Sequence, residues 1–363
     1  MSIRFDDRVV IITGAGGGLG RAYAFDFARR GAKVIVNDVP APISDGGAGN
    51  AEAVAAGIRA EGGIAVACEG DVTDFEQMEA MVASAVAAWG RVDVLVNNAG
   101  ILRDKTFAKM DIADFASVFA VHVMGSVNCT KAAWPVMREQ RYGRVVMTTS
   151  SSGLYGNFGQ SNYAIAKAGL VGLMNVLHLE GQKYGIHVNA ICPVAATNMM
   201  EGLLPEPVVA LLPPEAVSAA VLYLSSEGAP SRTILGAGAG VYSCVEIIET
   251  SGVYLDEAER TPEEIARQFA SSQARTSRRN VVSAVMVVLS GRGDFAGSGD
   301  LPRREGHRSA VAGGTKIPRS RAARVRMRSV WSPEWGLESA VLLSQIAANW
   351  RAISSGVRSA SSR

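Results

Sequence analysis

Thr13-Gly-Ala-Gly-Gly-Gly-Leu-Gly20 decides the fold. It follows an apolar run, Arg8-Val-Val-Ile-Ile-Thr13, that reads as a strand, and it opens a helical pattern from about Leu19 to Arg30, stopped by Gly31. A strand that turns through glycines into a helix offers free backbone N–H groups and the positive end of a helix dipole. Glycines also let the backbone approach a pyrophosphate closely. Thr13, Gly14, Gly18, Leu19 and Gly20 are therefore candidate dinucleotide contacts.

Outward from this turn the alternation continues. Strands are predicted at Lys33–Asp38, Ile64–Cys68, Val92–Val96, Gly143–Thr149, Ile186–Ile191 and Thr233–Leu235. Helices are predicted up to about Glu61, over Phe75–Trp89, Ile112–Arg138, Ser161–Tyr184 and Pro214–Ser225. Apolar strands bounded by helices imply a parallel sheet buried on both faces, with right-handed crossovers. The expected class is α/β, a doubly wound Rossmann-type sheet of about seven strands. Residues 1–258 form the nucleotide-binding catalytic domain in this reading, 259–274 a helical extension, and 275–363 a basic tail of low order.

Ligands in such sheets bind outside the carboxyl ends of the strands. Asp38 ends the second strand, where a carboxylate accepts hydrogen bonds from a ribose and repels a 2′-phosphate; a loop-capping role is the alternative. No Arg or Lys occurs in the glycine turn or in 39–50, so NAD is favoured over NADP. Asp71-Val72 follows the third strand, where an acid meets an adenine edge or caps the helix after Thr73. Asn97-Asn98-Ala99-Gly100 follows the fourth strand, with small residues that let a cofactor lie against the backbone.

The fifth strand runs into Ser150, and thirteen residues later comes Tyr163-Ala-Ile-Ala-Lys167. Positions i and i+4 share a helix face, so the phenol and the ammonium can enter one site. A cation near a phenol favours the phenolate, which makes Tyr163 a candidate acid/base. Its four cysteines are widely spaced and its histidines isolated, so no metal-ligand set is expected. The start of the chain lacks a secretory pattern, and the apolar run Val281–Leu289 is too short to span a bilayer. A cytoplasmic protein without a transmembrane segment is the expectation. Residues 275–363 hold 16 basic against 5 acidic residues, a net charge of +11, while 1–274 carry −9. A solvated extension is the preferred reading of that tail over a nucleic-acid-binding one.

T-G-x-x-x-G-x-G, N-N-A-G, Ser150 and Tyr163-x-x-x-Lys167, in this order, resemble the short-chain dehydrogenase/reductase superfamily. Four stretches carry a narrower resemblance: Gly14–Tyr23, Asn98–Asp104, Tyr155–Tyr163 and the glycine-rich loop after Asp38. They are similar to the (3R)-hydroxyacyl-CoA dehydrogenase domain of the peroxisomal multifunctional enzyme type 2 group, also called 17β-hydroxysteroid dehydrogenase type 4. The resemblance covers residues 5–270.

It implies hydride exchange with NAD, Ser150 bonding the substrate oxygen, Tyr163 moving the proton, and Lys167 lowering the Tyr pKa and holding the nicotinamide ribose. Asn98, Ala99, Gly100 and Pro193 would line the cofactor. His122 stands where the superfamily often has Asn, and its carbonyl is placed to hold a relay water. The usual P-G reads Pro193-Val194, which puts contacts by Thr197 in question.

A 3-hydroxyacyl-CoA is the preferred substrate. The rivals are a steroid or other lipid alcohol, a 3-oxoacyl-acyl-carrier-protein, and a non-catalytic NAD-binding scaffold. The apolar stretch 197–214 is either a helix packed on the core or a flap over an apolar substrate. A homodimer or homotetramer, built through the helices after strands four and five, is expected from the family.

Overall fold

A computed structural model of the chain describes residues 2–40, 51–197, 209–248 and 253–268. Eight strands form one sheet in the order β3-β2-β1-β4-β5-β6-β7-β8. They are β1 (Val9–Ile12), β2 (Lys33–Asp38), β3 (Ile64–Glu69), β4 (Val94–Asn97), β5 (Gly143–Thr148), β6 (Ile186–Pro193), β7 (Ile234–Gly238) and β8 (Val241–Val245). The first seven are parallel, and β8 runs antiparallel to β7. The helices are α1 (Gly18–Arg29), α2 (Ala51–Ala60), α3 (Phe75–Trp89), α4 (Ile112–Phe119), α5 (Gly125–Glu139), α6 (Ser151–Tyr155), α7 (Ser161–Gly181) and α8 (Glu215–Ser225). All described residues fall within one unit, Met1–Val285.

Alternation along β1 divides the core. Val10 and Ile12 pack with Phe27, Ile58, Val217 and Leu224 on one face. Val9 and Ile11 pack with Met78, Leu95, Met137 and Leu170 on the other. Each such fully buried aliphatic side chain contributes roughly 1.5–3 kcal/mol. Strand order reverses between β1 and β4, so the crevice at their carboxyl ends is where this architecture binds ligands.

The expected α/β doubly wound sheet is present, with one strand more than predicted. β8 escaped the sequence reading because it is a half-exposed edge strand, Val241-Tyr-Ser-Cys-Val245, without a buried apolar run. It is made by a two-residue hairpin in which Ala239 (φ 50°) and Gly240 (φ 75°) both adopt positive φ, as a primed turn requires.

The predicted helix Ile112–Arg138 is also not uniform. A π-helical segment, Ala120–Met124, separates α4 from α5. By length and hydropathy alone, 112–139 could cross a membrane. Here it lies along the sheet and buries His122, Ser126, Asn128 and Thr130, as a covering helix does. Of the expected extension 259–274, a helical stretch at 262–268 is described; 269–274, the tail and the loop at 41–50 lie outside the described residues.

Candidate active site

Thr13, buried at the end of β1, ties the glycine turn to β4. Its Oγ1 accepts hydrogen bonds from the backbone N–H of Asn98 (3.0 Å) and Ala99 (3.1 Å). In return Asn98 Nδ2 donates to the carbonyls of Thr13 (2.9 Å) and Gly14 (3.0 Å). Asn98 is thus a strut under the turn as well as part of the crevice lining, a use that the sequence pattern did not signal. Gly14 sits at φ 61°, and a Cβ there would lie 2.8 Å from Ala99 Cα, so both conformation and space demand glycine.

Gly18, Leu19 and Gly20 begin α1. Its N-cap Gly17 supplies no side-chain cap, and the first turn has no acid. The free N–H groups and dipole end are therefore open to an anion. Asp38 reaches the same place: its Oδ2 accepts from Gly16 N–H and its Oδ1 from Val39 N–H, both at 2.8 Å. Burial raises the Asp38 pKa, and the two N–H bonds offset part of that. Each oxygen keeps a lone pair for a further donor. An uncapped helix end, a turn closed on Ala99 and a carboxylate beside Gly16 fit the pyrophosphate and ribose of a dinucleotide.

Ser150, Tyr163 and Lys167 meet on the β5 side of this crevice. Ser150 is extended and caps α6, a short helix absent from the prediction; its Oγ accepts from Ser152 N–H at 3.3 Å. Lys167 is buried and donates through Nζ to the Thr148 carbonyl at 2.6 Å. That Nζ lies 5.5 Å from the centre of the Tyr163 ring. The shared helix face is as expected.

The expected lowering of the Tyr163 pKa is not found. Burial pushes the phenol up to about 12, a hydrogen bond from Ser150 offsets part of this, and Asp104 and Cys192 add to it. Burial also brings Lys167 down to about 7. Desolvation is the largest cause for both groups, because burial strips water from each charged form.

Other expected residues divide. Asp71 Oδ1 accepts from the N–H (2.8 Å) and hydroxyl (2.9 Å) of Thr73, while Asp74, not Asp71, caps α3. Val72 is buried, and its carbonyl accepts from Asn128 Nδ2 at 2.9 Å, which pins the loop beside the crevice. Pro193 ends β6, and Thr197 approaches the turn, its Cγ2 3.4 Å from where a Cβ on Gly18 would stand. Residues 198–208 of the suggested flap lie outside the described residues.

His122 is buried in the π-segment with its ring edge-on to that of Tyr163, centroids 5.2 Å apart. Its carbonyl already accepts the Ser126 hydroxyl at 2.7 Å, so the relay-water role expected of that oxygen has a competitor.

Two neighbours went unnoticed in the sequence. Asn162 is fully buried; its Nδ2 donates to the Arg103 carbonyl (3.0 Å) and its Oδ1 accepts from Tyr163 N–H (2.7 Å). Gln160 bonds Asp104 (2.6 Å), Ser152 (2.7 Å) and Asn157 (3.0 Å), joining the loop after β4 to the one before α7. Only their adjacency to Tyr163 could have drawn attention to them.

A model of the short chain dehydrogenase family matches residues 8–207. Peroxisomal multifunctional enzyme type 2 of Mus musculus is 51% identical over 227 residues, 62% of this chain and 30% of that protein, so the chain spans under a third of that relative. A crystal structure of a short chain dehydrogenase from Mycobacterium avium, 36% identical, superposes with a TM-score of 0.67 and covers 77% of this chain and 98% of its own. A 7α-hydroxysteroid dehydrogenase solved with NADH and 7-oxo glycochenodeoxycholic acid, 30% identical, does so at 0.59, covering 65% and 95%. From β1 to beyond β6 the match is continuous, and the chain belongs to the short-chain dehydrogenase family, oxidoreductases that act on CH–OH groups with an NAD(P) cofactor.

Proposed function

We propose that the protein is an NAD-dependent dehydrogenase interconverting a 3-hydroxyacyl-CoA and its 3-oxoacyl-CoA. The observation that carries the reaction is the convergence of Ser150, Tyr163 and Lys167 beside a glycine turn guarded by Asp38. Bound NAD(H) supplies or accepts the hydride. Ser150 holds the substrate oxygen. Tyr163, protonated over the neutral range, donates to the developing alkoxide during reduction and takes the proton back during oxidation. Lys167 lies next to it and, at a pKa of about 7, is partly charged at neutral pH.

Asp38 favours NAD, because a 2′-phosphate would meet a carboxylate already in place at Gly16. The acyl-CoA assignment draws on the multifunctional-enzyme relative and on exposed Tyr155 and Phe158, which offer apolar surface on the segment between Ser150 and Tyr163. A steroid is the rival substrate, since one structural neighbour was solved with a bile-acid ligand.

Self-association through the long helices after β4 and β5 is part of the proposal, with α4 and the π-segment behind it offering the first surface. Ile112, Phe115, Phe119 and Met124 line an open apolar groove of about 370 Å³, and Ile112 is 83% exposed. A homodimer or homotetramer would cover it. A cytoplasmic location is also proposed; the free thiols Cys68, Cys129, Cys192 and Cys244 suit a reducing compartment.

The test is NAD reduction with (3R)- and (3S)-hydroxyacyl-CoAs, steroids and simple secondary alcohols, using wild type and Tyr163→Phe. Turnover of one hydroxyacyl-CoA enantiomer, lost in Tyr163→Phe with NAD binding retained, is expected. Equal turnover by the variant rejects the mechanism, and steroid turnover alone rejects the substrate.

A further inference from the structure

His122 is a buried polar group beside Tyr163 that the chemistry above leaves unused. Its side chain comes from the π-segment Ala120–Met124, where Gly125 N–H reaches back to the Ala120 carbonyl. Such insertions into a helix re-aim side chains and recur at functional sites. The imidazole is 2% exposed and packed between two parts of the site. On one side it stands perpendicular to the Tyr163 ring, at 88° with centroids 5.2 Å apart. On the other it lies against the backbone after β4: a Cβ on Gly100 would collide with His122 Cε1, and Nε2 is 2.8 Å from the Ile101 carbonyl oxygen and 3.0 Å from its nitrogen. Nδ1 has no partner.

We infer that His122 is a positioning residue for the proposed proton transfer: its ring holds the Tyr163 ring in place while Nε2 fixes the Ile101 backbone that brings Gly100 to the cofactor crevice.

This rests on the reading of Tyr163 as the proton-transfer group. Three observations support it. The ring is neutral, since burial and the nearby Lys167 push its pKa down to about 3, so it can neither exchange protons at neutral pH nor repel Lys167. A neutral imidazole with one nitrogen bonded to backbone has a single orientation, which an edge-on contact needs. And the helix departs from α geometry at His122 itself, so the fold spends a regular turn on placing this residue. Among the described residues, the titratable and polar groups acting on Tyr163 are Ser150, Asp104, Cys192, Lys167 and His122, and His122 supplies the aromatic contact.

The two halves of the role separate by substitution. In His122→Gln an amide can keep the bond to Ile101, but the ring is gone and more water reaches the half-buried Tyr163. The expected result is a kcat about tenfold lower with the substrate KM within twofold. The acidic limb of the kcat/KM–pH profile for alcohol oxidation should move by about half a unit or more to lower pH, because hydration favours the phenolate.

In His122→Phe the ring stays and the bond is lost. The limb should stay in place, while the KM for NAD rises about two- to tenfold, the range of one lost hydrogen bond. A ring that only fills space would change thermal stability in both variants and move neither the limb nor the balance between kcat and KM. His122→Gln with the wild-type kcat and limb therefore overturns the inference. If His122→Gln fails to fold, a limb displaced in His122→Phe overturns it equally. Tyr163→Phe, run alongside, keeps the two levels apart: an active Tyr163→Phe removes the reading beneath, whereas an inactive one with an unaffected His122→Gln removes only the inference.

Discussion

Replacing Thr13 with Val tests whether the knot between the glycine turn and β4 holds the cofactor end together. The substitution keeps shape and volume and deletes the one oxygen that accepts from both Asn98 and Ala99 N–H. A buried N–H left without a partner costs about 1–3 kcal/mol. Asn98 and Ala99 are only partly buried, so water relieves some of this, and the two together should cost about 2–3 kcal/mol. For a domain of this size that lowers Tm by about 4–12 °C. Thr13→Ser is the control: it keeps the oxygen and loses a buried methyl, for about 1 kcal/mol.

Urea unfolding at constant m-value gives the stability difference, and quenching of intrinsic fluorescence on NAD titration gives Kd. Thr13→Val should be the less stable of the two variants and should bind NAD several-fold more weakly, because Gly14 loses its fixed distance to Ala99. Equal stability and equal Kd for the two variants would refute the reasoning and reduce the knot to incidental contacts.

Two further outcomes concern charge. Lys167, with its folded pKa lowered to about 7, binds fewer protons than the unfolded chain up to its ordinary value near 10.5, so stability should rise with pH across that window. Tyr163, held at about 12, keeps a proton that the unfolded chain releases near pH 10, so the rise should reverse above that. Lys167→Met should abolish the rise and retain the fall in urea midpoints taken from pH 6.5 to 11, and an unchanged rise would assign it to other groups. Asp38→Ala should weaken NAD about tenfold and leave NADP unchanged or improved in parallel titrations, a loss of one charge-assisted acceptor. Because burial raises the Asp38 pKa, wild-type NAD affinity should decline on acidification sooner than an ordinary carboxylate would cause; a pH-independent preference for NAD would argue against Asp38 as its source.

Local chemistry was legible without coordinates. The glycine turn, the apolar strands and the four-residue spacing of Tyr163 and Lys167 each express their meaning within a few neighbours, because helix and strand periodicities and turn requirements act at that range. Ser150 was found the same way, as the residue after a buried strand. β8 was not, since an edge strand lacks the two-sided burial that marks the others, and its hairpin rests on the positive φ of Ala239 and Gly240.

Tertiary structure decided what those residues experience. Asn98 and Thr13 are 85 positions apart, and only folding makes them a knot. The phenol of Tyr163 was expected to be acidified by Lys167, yet both are desolvated by elements from elsewhere in the chain, and that cost prevails. His122 stood out as a letter in the sequence. Its packing between Gly100 and Tyr163 follows from the π-turn and from the closeness of β4 to α7, which no local pattern encodes. The chain's own order thus determined the fold and named the candidate reacting groups, while burial and long-range contact determined their surroundings and aim, because desolvation and packing depend on residues far away in sequence.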